Sequence, residues 1–178
     1  MEKAELHLVI KECLRNNKIH QKKLYKTFYG FAYSIALRYA GGGEEASVIM
    51  NKGFYNVFAG LSNYDKTSEF KEWLKYHILI AAIEYLFMIR QLPAMLIESK
   101  TSDSNPVSDN LGTGLSYDEK IQMLNQLPYR CRAVFNLFAI DGYEHERISD
   151  MLHISVDTSR LLLAQARESL NYFMSLLS

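Results

Sequence analysis

Residues Leu127–Arg167 read LPYRCRAVFNLFAIDGYEHERISDMLHISVDTSRLLLAQAR. Apolar side chains recur there at helix spacing in three runs. The first holds Val134, Leu137 and Phe138, the second Ile148, Met151 and Leu152, and the third Leu163 and Ala166, continuing to Leu170. Pro128 suits the first position of a helix, where a missing N–H costs nothing. Asp141-Gly142 stops that helix, a short one runs over 144–152, and His153-Ile154 make a turn. Ser155 then suits the N-cap of the last helix. A short helix, a turn and a longer helix make a helix-turn-helix.

The last helix divides by face. With one residue every ~100°, Leu163, Ala166 and Leu170 share the side of Ser159 and read as core. Leu162 borders that stripe. Asp157, Glu168 and Leu161 fall opposite, and Arg160 and Arg167 share one flank.

Upstream of this stretch, a helix is expected near Tyr117–Gln126. Before it, residues 96–116 are poor in apolar side chains and contain Pro106, Gly112 and Gly114. They read as a flexible linker. The chain thus divides into residues 1–95, 96–116 and 117–178. The first part reads as helical throughout. Leu6, Val9, Ile10, Cys13 and Leu14 make one stripe, ended by Asn16-Asn17. Leu24, Phe28, Phe31, Ile35 and Tyr39 make a second, stopped by Gly41-Gly42-Gly43. Glu44-Glu45 suit the start of a third helix through its dipole, with Ile49, Phe54, Val57, Phe58 and Leu61 inward. A fourth runs from about Ser68 to Arg90. The expected fold is all-α, two small helical domains joined by the linker, the second a helix-turn-helix.

Composition narrows the function classes. The 178 residues are 48% hydrophobic, ordinary for a folded soluble domain. No apolar run is long enough to span a bilayer, and the start, Met1-Glu2-Lys3-Ala4-Glu5, has no signal-peptide character. A cytoplasmic protein without membrane insertion is expected. Cys13 and Cys131 are far apart and read as buried reduced thiols. The five histidines form no ligand pair, so no metal site is expected. Basic and acidic residues number 20 each, but residues 1–91 hold 13 basic against 9 acidic, and residues 117–178 hold 6 against 8. A basic footprint for nucleic acid is therefore available in the first half, whereas the helix-turn-helix half is mildly acidic.

The quoted stretch resembles the promoter-binding domain of extracytoplasmic-function (ECF) sigma factors. That family shows an LP-x-R-x-R-x-VF opening and a glycine-led turn into I-S-x-x-T. Leu127, Pro128, Arg130, Arg132, Val134, Phe135, Gly142, Ile148, Leu152, Ile154, Ser155, Thr158, Ala166 and Arg167 stand at matching positions. The segment LYKTFYGFAYSIALRYAGGGEEASVIMNKGFYNVFAGLSNYDKTSEFKEWLKYHILIAAIEYL, residues 24–86, is similar to the family's first domain. Its NKGFYNVF string is close to a variant associated with Bacteroidetes members.

The resemblance implies a division of labour. Asn51, Phe54, Val57 and Phe58 would meet core RNA polymerase. The segment around Lys71, Lys75, Tyr76 and His77 would capture the unpaired downstream promoter strand, which needs basic and aromatic groups together. Phe70 and Trp73, at helical spacing, read instead as core. Ser155, Thr158, Ser159, Arg160, Gln165 and Arg167 would contact the upstream promoter element in the major groove. Promoter DNA and core polymerase are the implied partners, with an anti-sigma factor a further candidate, and no cofactor is implied. The role is transcription initiation without bond-making chemistry, in keeping with the lack of paired carboxylates, nucleophile–base arrangement or phosphate loop.

The sequence departs from the family mainly at DNA-facing positions. Leu161, Leu162 and Gln165 stand where basic or small polar residues are common, and His153 where the turn often has glycine. Ile80-Ala81 and Phe87-Met88 replace residues that are often basic or amide. Two readings follow: a divergent sigma factor, or a sigma-like regulatory interaction protein with weakened or lost DNA binding.

Overall fold

The computed structural model describes residues 1–65, 67–90 and 114–177. They are helical, with no strand among the described residues. The chain divides into two compact units, Met1–Tyr85 and Leu86–Ser178. Only Gly114, Leu115 and Ser116 of the expected linker are among the described residues.

The first unit holds α1 (Lys3–Leu14), α2 (Lys18–Tyr39), α3 (Gly43–Gly60), a single 3-10 turn at Leu61–Asn63 and most of α4 (Phe70–Arg90). Asn16 and Asn17 do more than end α1. Asn16 takes the left-handed conformation (φ 60°), which asparagine tolerates better than most residues. The Asn17 side chain then accepts hydrogen bonds from the N–H groups of Ile19 and His20, at 3.1 and 3.4 Å, and caps α2. At the head of α3, Glu45 reaches back to accept from the Gly41 N–H at 2.7 Å, satisfying a donor close to the helix start.

The core of this unit joins Leu24, Phe28, Ala32 and Ile35 of α2 to Ile49, Met50, Phe54 and Val57 of α3 and Leu74, Ile78 and Leu79 of α4. Not every expected core residue is interior, and Leu6 and Phe58 are half-buried. Phe31 is half-buried and Ala32 takes the interior position, while Leu14 is exposed. Gly53 lets α3 approach α4. A Cβ there would run into Ile78 Cδ1 and stand 3.0 Å from the Ile78 Cα.

The second unit holds α5 (Tyr117–Gln126), α6 (Tyr129–Phe135), a π-turn at Asn136–Ile140, α7 (His145–Leu152) and α8 (Val156–Leu177). Ser116 and Glu119 form a reciprocal capping box at the head of α5. Pro128 is the N-cap of α6 rather than its first residue. Its ψ of 134° is extended, and its carbonyl accepts the Arg132 N–H at 2.9 Å. Val134, Leu137, Ile148, Leu162, Leu163, Ala166 and Leu170 form the core. Leu162 is thus interior rather than at the border of the stripe. Cys13 and Cys131 are buried free thiols, and burial pushes each thiol up to about 11.

The turn between α7 and α8 rests on His153, at φ 51° and ψ 47°. A non-glycine residue there bears a Cβ clash that glycine avoids. His153→Gly is expected to stabilise the second unit by about 0.5–1 kcal/mol, since the relief exceeds the extra chain entropy glycine loses. Chemical denaturation of the full chain, followed by a probe in the second unit, checks this; a lower midpoint would contradict it.

Candidate nucleic-acid interface

The head of α8 is built by Ser155. Its Oγ accepts the Thr158 N–H at 3.0 Å, capping the helix at its third residue, and shares a 2.8 Å hydrogen bond with the Thr158 hydroxyl. Both hydroxyls therefore serve the helix start. Ser159 is fully buried. Its Oγ lies 2.9 Å from His145 Nδ1, so it joins α8 to α7. Its expected role as a DNA contact is corrected here, because a side chain at 0% exposure cannot reach a groove.

The other candidates also have neighbours within the unit. Arg160 is exposed and faces the Asp157 carboxylate at 3.4 Å. Arg167 is half-buried, its guanidinium 5.8 Å from the Phe138 ring centroid, a cation–π placement. Gln165 Oε1 accepts from the Cys131 thiol at 3.7 Å. Leu161 is half-buried, Asp157 and Glu168 are exposed. The face expected to meet DNA thus combines Arg160, Asp157, Glu168 and part of Leu161.

In the first unit, the start of α4 carries a continuous aromatic cluster. Phe70 packs on Phe28, with centroids 5.1 Å apart, and Tyr64 meets Phe70 edge-on at 5.3 Å. Trp73 lies against Tyr64 and Phe70, and its ring meets His77 edge-on at 4.3 Å. Tyr76 extends the cluster to the surface. Phe70 is buried, as expected of core, and Trp73 is half-buried. Burial holds His77 below its usual range, so at neutral pH it offers an aromatic ring rather than a cation. Positive charge comes from Lys71, which is exposed with its Nζ 5.7 Å from the Phe31 centroid, and from half-buried Lys75. Ala81 is fully buried. It packs inside the unit and faces no nucleic acid.

The face expected to meet polymerase needs a larger correction. Phe54 and Val57 are buried in the core of the first unit. They hold α3 in place and present no surface to a partner. Asn51 is exposed, accepting from the Tyr25 hydroxyl at 3.0 Å, and Phe58 is half-buried. Sequence reasoning missed the tyrosines beside them. Tyr25, Tyr29 and Tyr33 follow at four-residue spacing along α2, their successive centroids 5.7 Å apart. Tyr29 and Tyr55 are exposed. The spacing was the available signal, since residues four apart share a helix face.

Among the described residues, no cluster of histidine, cysteine and carboxylate side chains could hold a metal ion. No helix among them is long and apolar enough to cross a membrane.

Residues 120–170 match a family model described as sigma-70, region 4. Among solved structures, the sigma factor RpoE of Bartonella quintana, in complex with the anti-sigma factor NepR, is similar, with a TM-score of 0.55 and 17% identity. The match covers 86% of this chain and 96% of that one. CnrH, in complex with the cytosolic domain of CnrY, matches 96% of this chain and 97% of its own at 19% identity and a TM-score of 0.49. No curated protein sequence matches the chain. The RpoE likeness bears on the fold, and the family model on the segment that holds α7 and the first part of α8. The region 4 match thus falls on the segment that holds the helix-turn-helix, and the chain is similar in fold to the sigma factor RpoE.

Proposed function

We propose that the protein is an ECF-type sigma factor that binds core RNA polymerase and directs it to specific promoters. The observation that carries this reading is the head of α8, capped by Ser155 and preceded by the left-handed turn at His153, within the region 4 segment. In this reading residues 1–95 hold polymerase and capture the downstream element. Residues 96–116 link that domain to residues 117–178, which take the upstream element. Lys71 and Lys75 supply charge to the melted strand, and Tyr76 and His77 supply stacking surface. Thr158, Arg160, Gln165 and Arg167 stand toward the upstream duplex. Asn51 and Phe58, extended by Tyr29 and Tyr55, form the polymerase face.

Bond-making belongs to the polymerase in this scheme, which places the protein in the cytoplasm. Holding α8 on polymerase raises its effective concentration at the promoter and compensates for few direct contacts. The RpoE structure is of a complex with an anti-sigma factor, which supports a protein antagonist as a further partner here.

One observation favours a second reading, a sigma-like regulatory interaction protein with weakened DNA binding. Arg160 is drawn to Asp157, and Glu168 stands exposed on the same helix. Two substitutions separate the readings. If α8 reads DNA, Arg160→Ala lowers the affinity of the reconstituted polymerase complex for its promoter by roughly tenfold, the range of one specific contact. If α8 meets a protein, Arg160→Ala is silent and Leu161→Asp abolishes partner binding. Gel-shift titration of the complex, beside co-purification of core polymerase with the full chain, reads both.

A further inference from the structure

His145 is the first residue of α7, and none of the roles above uses it. Its Nδ1 lies 2.9 Å from the hydroxyl of buried Ser159 on α8. Its ring stacks on Phe138 of the π-turn, with centroids 4.5 Å apart and planes 22° from parallel. Phe138 in turn faces the Arg167 guanidinium. One half-buried imidazole thus joins the π-turn, the head of α7 and α8.

We propose that His145 is a positioning residue whose protonation is coupled to anionic phosphates bound at Arg160 and Arg167. Duplex binding on this face would then take up a proton. The proposal rests on the reading of α8 as a DNA-contacting helix.

Four charged groups act on the ring. Burial is the largest influence and Arg160 the next, both holding the imidazole below its usual range of about 6.5. Arg167 acts in the same direction. Glu146 and Glu144, beside it at the start of α7, oppose them. The helix N-terminus also disfavours a cation. In the free protein the ring is therefore neutral near neutral pH, and its contribution to stability is complete above about pH 6.5. That contribution is lost as pH falls through the depressed value of the folded state.

Phosphates at Arg160 and Arg167 offset the part of this effect that comes from the two guanidinium groups, while burial of the ring continues to oppose the proton. The proton affinity of His145 then rises on binding, and by reciprocity protonation strengthens binding. Duplex affinity should accordingly increase as pH falls below about 6.5, by at most about tenfold per pH unit for one proton.

The test uses the full chain and a mixed-sequence DNA duplex at low salt. The His145 titration midpoint, followed by NMR, is expected to move upward when the duplex is added. Affinity is expected to rise about three- to tenfold between about pH 7.5 and about pH 5.5. His145→Asn, whose amide can occupy the place of Nδ1 beside Ser159 without titrating, should flatten that profile. His153→Gly, which removes the exposed imidazole of the turn, should leave it intact. An unchanged midpoint, or a profile that survives His145→Asn, overturns the proposal. Failure of the duplex to bind at every pH removes the DNA reading itself. The ring network is then judged by Arg160→Gln in the free chain: an upward midpoint supports it, and an unmoved one overturns it.

Discussion

Gly53→Val is expected to destabilise the first unit by about 3 kcal/mol, the upper end of ordinary overpacking costs. A Cβ at this position already stands 3.0 Å from the Ile78 Cα and collides with Ile78 Cδ1. The δ-methyl can rotate away, but the backbone of α4 cannot yield without moving the helix. Valine adds two methyl groups to that clash and has only weak helix preference. Gly53→Ala is the milder control, because alanine recovers up to about 1 kcal/mol of helix propensity. The functional consequence follows from what the two helices carry. α3 bears Asn51 and Phe58, and α4 bears Lys71, Lys75 and Tyr76. Widening their contact displaces both candidate surfaces. Denaturant unfolding should show a lowered midpoint for Gly53→Val, larger than for Gly53→Ala. Wild-type stability in Gly53→Val would contradict the close approach.

Leu163→Ala is expected to cost the second unit about 2–5 kcal/mol, the range for removing a buried leucine and leaving a cavity. Leu163 is 3% exposed and lies on the inward stripe of α8 with Ser159, Ala166 and Leu170. Stability of a small domain is typically about 5–15 kcal/mol, so the loss is a large share of the whole. Leu161→Ala is the internal comparison. Leu161 is half-buried, and its truncation should cost about 1 kcal/mol or less, because less apolar surface returns to water. Thermal unfolding of the two variants should therefore rank Leu163→Ala well below Leu161→Ala; equal midpoints would refute the assigned faces of α8.

Much of this architecture could be read from local patterns. Ser155 caps α8, α5 spans Tyr117–Gln126, and Leu163, Ala166 and Leu170 turn inward, all as their spacing and chemistry imply. Those readings succeeded because each depends on a few neighbours along the chain. Phe54 and Val57 show where the method stopped. Family motifs preserve packing and contact residues together, and resemblance does not separate them. The apolar stripe of α3 had already assigned both inward.

Ser159 met the same conflict, since the inward stripe of α8 already contained it. A small hydroxyl suits a DNA contact, but here His145 supplies its partner from another helix. The π-turn carried no readable signal. Its wide bond, from the Asp141 N–H to the Asn136 carbonyl at 2.8 Å, arises in a stretch whose apolar spacing suits an ordinary α-helix. The tyrosines of α2 were legible at their four-residue spacing, yet their exposure depends on what α3 leaves uncovered.

The sigma-factor reading meets its sharpest test in reconstituted transcription, with the purified 178-residue chain and core RNA polymerase on a library of promoter fragments. A stable complex with core polymerase is expected, with transcripts that start at fragments sharing paired upstream and downstream elements, above the background of core polymerase alone. Absence of both the complex and promoter-dependent transcripts would contradict it.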